Sequence, residues 1–597
     1  MQEHQLRDLI ERVRQGQLPR RRFIQHLAGL GLSAPMASLL RMHEGVAQTA
    51  APIPYKPTRR GGGGTLKLMW WQGPTHLNPH LGTGAKDWSA GRIFYEPLAG
   101  WDNEGQMIPT LAAEIPTRHN SGIAADGKSV VWKLKRGVTW HDGKPFTADD
   151  VVFTHRYVTD PATGAVAGVA WREVRVEKVD SHTVRVSADD PRPLLPTWGV
   201  GNFGWILPRH VFEPFIGARS RENPANVRAV GTGPYRHVGF RSGDMLRAEA
   251  NPNYHVPHQP FFDALELKGG GEAISAARAV LQTGDYDFAQ GLGAVEDELL
   301  RRLESGGKGR VAIEPGGDLE YIGLNVSDPW TEVEGERAHV KSRHPAFSDK
   351  AVRTAMGLLV DRKGIVDVLV GRAGVATANW LNTPASVRSP NMKFEFNIDK
   401  ANQVLEAAGW TRGADGVRAK AGTKLKFVIV FSGGATRLKA QAILKDACKK
   451  AGIELEIKPV VAAVFMGSDQ ANPDPIGKFW ADMFVSLHLA NSPEPQHRLL
   501  RFRSEFISQK ANKWSGSNYL RWQNAEYDAL HSAMQREFDP VKRAALAIQM
   551  NDLVVSDGYV IALYSRSKMS GVGNKLEPVP SAWDNELWAL GYWTRGS

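Results

Sequence analysis

The stretch from Leu425 to Ile457 constrains the fold more than any other part of the chain. Leu425 to Val430 is an apolar run of strand length. Arg437 to Ala451 then sets Ala440, Ile443, Leu444, Ala447 and Ala451 on one helical face, and Gly452 suits the C-terminal cap. Ile453, Leu455 and Ile457 alternate with Glu454 and Glu456, which is the period of a half-buried strand. Strand, helix and strand at this spacing form a crossover unit, which places two strands parallel in one sheet. This half of the chain is therefore α/β.

The rest of the chain adds local elements. Thr65 to Trp70 alternates polar and apolar residues and reads as a first strand, and Val130 to Leu134 as another. Asp142-Gly143 supplies a turn. Thr147-Ala148-Asp149-Asp150 before Val151 is the cap of a helix, where side chains satisfy free backbone N–H groups. Val174 to Val186 holds two short strands around Asp180-Ser181, and Ala401, Val404, Leu405 and Ala408 mark a helix ending at Gly409. With 597 residues the chain is long enough for two or more compact units at roughly 100–200 residues each. A composition of 42% hydrophobic and 23% charged residues excludes extensive disorder.

Charge and cysteine content exclude several classes. The net charge is +11, and the first 47 residues hold part of it. No Lys/Arg stripe interleaved with aromatics appears, so no nucleic-acid partner is expected. Cys448 is the only cysteine, which rules out an internal disulfide and a Cys-based metal site. Its helical context reads as a small buried hydrophobe.

The N-terminus reads as an export signal. Arg20-Arg21-Arg22-Phe23-Ile24 precedes an apolar run, Leu27 to Leu32 and Ala34 to Leu40, that is too short for a membrane span of about 20 residues. It resembles a twin-arginine (Tat) signal, with Gln25 where Lys is usual. Cleavage is expected near Gly45-Val46-Ala47, which makes residues 1–47 a signal peptide and the Tat export machinery a partner. No Cys follows the apolar run, so no lipid anchor is expected there. Residues 48–64, rich in Pro and Gly, read as a flexible leader.

Catalytic patterns are missing. There is no His-Glu-x-x-His and no Gly-x-Ser-x-Gly. Gly137 to Lys144 resembles a phosphate loop but has five residues between its glycines, and Pro145 stands where Ser or Thr would hold magnesium. His76 and His80 are four apart, but Pro79 breaks the helix that would let them share a metal. No catalytic residue, metal site or cofactor is assigned.

Several blocks, in order along the chain, resemble the peptide/nickel-type solute-binding proteins (family 5) that serve ABC importers. They are Trp132 to Val152 (the strongest), Gly231-Thr232-Gly233-Pro234-Tyr235 with Asn251 to Tyr254, Asn325 through Phe347 to Arg362, Ala401 to Arg418, and Ser517 to Asp528. The resemblance implies a two-lobed α/β periplasmic binding protein with an extra subdomain in the first half and a ligand cleft between lobes. It places lobe I in 65–104, 226–316 and 561–597, the extra subdomain in 105–225, and lobe II in 317–560. It implies a monomeric, periplasmic carrier, not an enzyme, that closes around a peptide or peptide-like solute and delivers it to an ABC permease and ATPase complex. The competing readings are an exported hydrolase and a non-transport sensor on the same fold.

The resemblance also suggests site residues. Peptide-binding members hold the peptide amine with an aspartate after an aromatic-rich strand; here Asn491 falls at that place and His488 where a tryptophan is common. Asn lacks the negative charge an ammonium needs. Two alternatives follow: Glu494 supplies that charge from a shifted position, or the solute is peptide-like, opine-like or sugar-like. Thr83 and Trp88 are expected in a cleft loop of lobe I. Trp380 reads equally as a cleft aromatic or as core, and Asn325 as a backbone-capping side chain at a lobe crossing.

Overall fold

The structure, a computed structural model, describes residues 53–596 apart from 83, 167–170, 172, 468–471 and 491. The signal peptide read in residues 1–47 lies outside the described residues. Residues 53–64, expected as part of a flexible leader, are instead pinned to the first lobe. The Arg60 guanidinium donates to the carbonyls of Pro252, Tyr254, Val256 and Gln259. The N–H groups of Gly62 and Gly64 donate to Asp263 at 2.8 Å each. Any side chain at Gly63 would run into the Phe261 ring, so glycine permits the close approach.

The chain then enters β1 (Thr65–Trp70), where Leu66, Leu68 and Trp70 point into the core, and helix α1 (Ala85–Arg92). Next comes a small antiparallel sheet of β2 (Ser129–Lys133), β3 (Arg175–Asp180) and β4 (Thr183–Ser187), ordered β2-β4-β3. Helix α2 (Ala148–Thr159) lies between β2 and β3, and Thr147 with Asp150 closes the capping box expected from the sequence. A meander of β5 (Tyr235–Arg241), β6 (Met245–Ala250) and β7 (Ala264–Gly269) leads to β8 (Phe288–Gln290) and α3 (Asp297–Glu304).

The long strand β9 (Gly309–Leu324) opens the second half. It is followed by β10 (Gly374–Ala376), β11 (Lys426–Phe431), α4 (Ala435–Lys450), β12 (Glu454–Pro459), β13 (Met483–His488), α5 (Pro540–Asp557) and the long β14 (Val560–Gly573). The crossover unit is as the periodicity dictates: β11 and β12 pair in parallel, with Phe427 opposite Leu455 and Ile429 opposite Ile457. Cys448 is buried on α4, and burial pushes its thiol up to about 12.

All main strands join one sheet of 11, ordered β12-β11-β13-β9-β14-β8-β1-β7-β6-β5, with β10 on β14. Two large cores nonetheless accompany it, beside a smaller one through Val280, Leu300 and Met569. One runs through Leu319 to Tyr564. The other joins Leu66, Leu265 and Trp593 with Trp132 and Val184 of the small sheet, which therefore shares the first lobe's core. The protein is a two-lobed α/β molecule in which only β9 and β14 belong to both halves of the sheet.

Candidate solute site at the lobe crossing

The register of β9 and β14 shows how the halves connect. Residues 309–314 of β9 pair with 568–573 of β14, then the ladder slips, and 318–323 pair with 560–566. β9 reaches β13 only through its last part, Leu319 to Leu324, whereas β14 reaches β8 through Gly571 and Val572. The slip at Pro315-Gly316-Gly317 is thus the point where the chain passes between lobes. A break in a two-stranded ladder concentrates bending.

The carboxyl ends of β1 and β8 on one side, and of β11 and β13 on the other, flank this crossing. Such ends are where open α/β sheets bind ligands. Contacts already span the gap. Thr436 Oγ1 donates to the Ala294 carbonyl at 3.3 Å, Lys439 pairs with Glu296 at 2.6 Å, and Arg372 holds Asp297 at 2.7 Å. At the mouth, Arg536 pairs with Asp190 at 3.2 Å.

Four of the six expected site residues fall among the described residues; Thr83 and Asn491 lie outside them. Trp88 sits half-buried on α1, its ring edge-on to Phe203 at 5.1 Å and its N–H on the Gly82 carbonyl at 3.2 Å. Trp380 is 1% exposed and packs between Tyr321 and Phe502, with its N–H on the Arg498 carbonyl at 3.1 Å. Of its two readings, core is the one the packing supports. His488 stacks on that ring at 4.9 Å. Burial, then the charges of Arg501 and Arg498, hold its imidazole well below the usual range.

Glu494 does not offer a free charge. It is 2% exposed, and a carboxylate oxygen accepts from Arg543 at 2.7 Å. Two buried opposite charges pair because either alone is costly to desolvate. Asn325 caps backbone, donating to the carbonyls of Phe479 and Ala481 at 2.9 and 3.0 Å. His80 is buried on the Trp205 carbonyl at 2.8 Å, and His76 turns to Asn78, so the two share nothing. Among the described residues no cluster of three or more metal-ligating side chains occurs, and no helix is long and apolar enough to cross a membrane.

The sequence reading missed Thr383, Asp318, Arg498 and Arg501. Asp318 Oδ1 accepts the Ala490 N–H at 2.8 Å, which ties the end of β13 to the crossing strand. Arg501 donates to the Tyr321 hydroxyl at 2.9 Å and lies over the Trp380 ring at 5.5 Å. Burial lowers the Arg498 guanidinium to about 10, although Asp318 and Glu494 act against the shift. The visible signal was the basic run His497-Arg498-Leu499-Leu500-Arg501-Phe502-Arg503 directly after the proposed ligand loop.

A two-lobed molecule whose halves are joined by two strands with a broken ladder is the form of a solute-binding protein. Residues 106–510 match the family of bacterial extracellular solute-binding proteins, family 5, middle region, and the chain belongs to that family. It is the extracytoplasmic solute-binding component of an ABC importer. It is 28% identical over 551 residues to the oligopeptide-binding protein AppA of Bacillus subtilis, covering 88% of this chain and 92% of that protein. The AppA structure, solved with a nonapeptide, superposes with a TM-score of 0.73 at 24% identity and covers 91% of this chain and 100% of that one. NikZ of Campylobacter jejuni, solved with Ni(L-His), gives 0.73 at 21% identity and covers 89% of this chain and 99% of that one.

Proposed function

We propose that the protein binds a peptide or peptide-like solute in the cleft at the β9/β14 crossing and delivers it, unaltered, to an ABC permease and ATPase in the membrane. The observation that carries this reading is the crossing itself. Two strands whose ladder breaks at residues 315–317 let two separately cored lobes close on a solute, and closure gives a permease a shape to recognise. The relative solved with a nonapeptide supports a peptide as cargo. In this reading residues 317–560 form lobe II and 105–225 a subdomain built on lobe I. After Tat export and cleavage near residue 47 the carrier works in the periplasm as a monomer. Trp88 and His488 in this reading contribute to the solute site.

The test is to purify the mature chain from its native host and identify by mass spectrometry what comes with it. The expected result is a single class of small solute, recovered intact after long incubation, whose removal and return change tryptophan fluorescence. Steady conversion of that solute to product would establish the hydrolase reading instead.

A further inference from the structure

The lobe II wall at the end of β13 holds polar atoms that the protein does not satisfy. Arg498 is 3% exposed. Its Nη2 donates to the Thr383 carbonyl, while Nε and Nη1 are shielded from solvent and have no acceptor. Thr383 Oγ1 and His488 Nε2 are also buried without a partner. These atoms are neighbours. Thr383 Oγ1 and Arg498 Nη1 both crowd Gly317 in the crossing strand. His488 stacks on Trp380, whose indole is bonded to the Arg498 carbonyl.

An unpaired buried polar group costs about 1–3 kcal/mol, and more when charged. Several in one place call for a partner from outside the chain. The nearby acids are engaged, since Asp318 Oδ1 accepts from Ala490 and Glu494 accepts from Arg543. Burial, and then the charges of Arg501 and Arg498, keep the His488 imidazole neutral, so that one of its ring nitrogens carries a hydrogen it can donate.

We propose that Arg498, Thr383 and His488 form an anion subsite, and that the solute presents a carboxylate to them inside the closed cleft. This rests on the solute-binding reading above and adds the sign of the charge carried by the solute at this wall. A carboxylate accepts from a guanidinium, a hydroxyl and an imidazole N–H together. An ammonium would offer those groups only donors and would face the charges of Arg498 and Arg501.

The probes are bromide, located by anomalous scattering in soaked crystals, and three peptides titrated by calorimetry: tri-alanine, its C-terminal amide and its N-acetyl form. Bromide is expected against Arg498. Tri-alanine and its N-acetyl form should bind alike, and the amide about ten- to a hundredfold more weakly. Arg498→Met, checked for folding by its melting curve, should lose both the bromide and the preference for the acid. Arg498→Lys should keep part of each. Acid and amide binding equally, or an ordered water alone on Nε and Nη1 of Arg498, overturns the inference. If no peptide binds while bromide sits at Arg498, the anion subsite stands and the peptide cargo is rejected.

Discussion

Replacing Arg543 by methionine would leave Glu494 charged, 2% exposed and without its partner. At 2.7 Å the pair attracts by about 6 kcal/mol for an effective dielectric of 20. Desolvating the two groups costs several kcal/mol per ion, so the intact pair contributes little net stability. Breaking it is different, because the surviving charge keeps the desolvation cost without the attraction. Arg543→Met should therefore destabilise the protein by about 3–5 kcal/mol. That lowers the melting midpoint by about 4 °C if the chain unfolds in one step, and by about twice that if lobe II unfolds alone.

Urea unfolding followed by tryptophan fluorescence measures the loss. The double variant Arg543→Met with Glu494→Met, which removes both charges, should return to within about 2 kcal/mol of the parent. Glu494→Gln should leave the affinity for the co-purified solute within about threefold, because the carboxylate faces Arg543 and not the cleft. A loss below about 1 kcal/mol in Arg543→Met, together with a tenfold weaker solute affinity in Glu494→Gln, would refute the assignment. Glu494 would then be the ligand charge after all.

Acid should weaken the fold through histidines held neutral. Burial lowers His80, His141 and His531 to about 4 each. The unfolded chain binds their protons first, so stability is complete above about pH 6.5 and falls as pH drops towards 4, by up to about 3 kcal/mol per histidine. Urea midpoints measured from pH 7 to 4 check this, and His80→Gln should flatten the profile. At the lobe crossing, a side chain on Gly317 would overlap Thr383 Oγ1, whereas one on Gly316 meets nothing nearer than 3.5 Å. Gly317→Ala should thus cost about 1–3 kcal/mol and weaken solute binding, and Gly316→Ala should do neither, as unfolding curves and calorimetry will show.

What the sequence made legible was whatever depends on local period and short-range chemistry. The unit from Leu425 to Ile457 and the cap at Thr147 were readable because helix and strand periods and caps are written in adjacent residues. The crossing was not readable, since β9 and β14 lie far apart in the chain and only their register reveals the slip at Pro315 to Gly317. For the same reason Glu494 looked free: its partner Arg543 lies on another helix and leaves no mark near residue 494. The leader from 53 to 64 looked flexible by composition, yet Arg60 finds its carbonyls in a loop far along the chain. Trp380 was ambiguous because an aromatic in a cleft wall and one in a core have the same sequence.

The contacts that span the cleft show what a solute must supply. Moving a two-state equilibrium from 1:99 to 99:1 takes about 5.5 kcal/mol of differential binding. The Lys439–Glu296 pair is 55% and 32% exposed, and exposed pairs of this kind contribute about 0–1 kcal/mol. Thr436 adds one hydrogen bond to Ala294, worth about 1 kcal/mol. The Arg372 ion pairs with Asp297 and Glu304 are more buried than these and supply the larger share of the spanning contacts. The unsatisfied groups of Arg498, Thr383 and His488 carry a burial cost of about 1–3 kcal/mol each. All three groups belong to lobe II, so a solute that satisfies them shifts closure only by the part of that gain made in the closed state alone. Because Gly317 lies under those groups and within the slip between lobes, solute recognition and hinge bending act on the same few residues of β9.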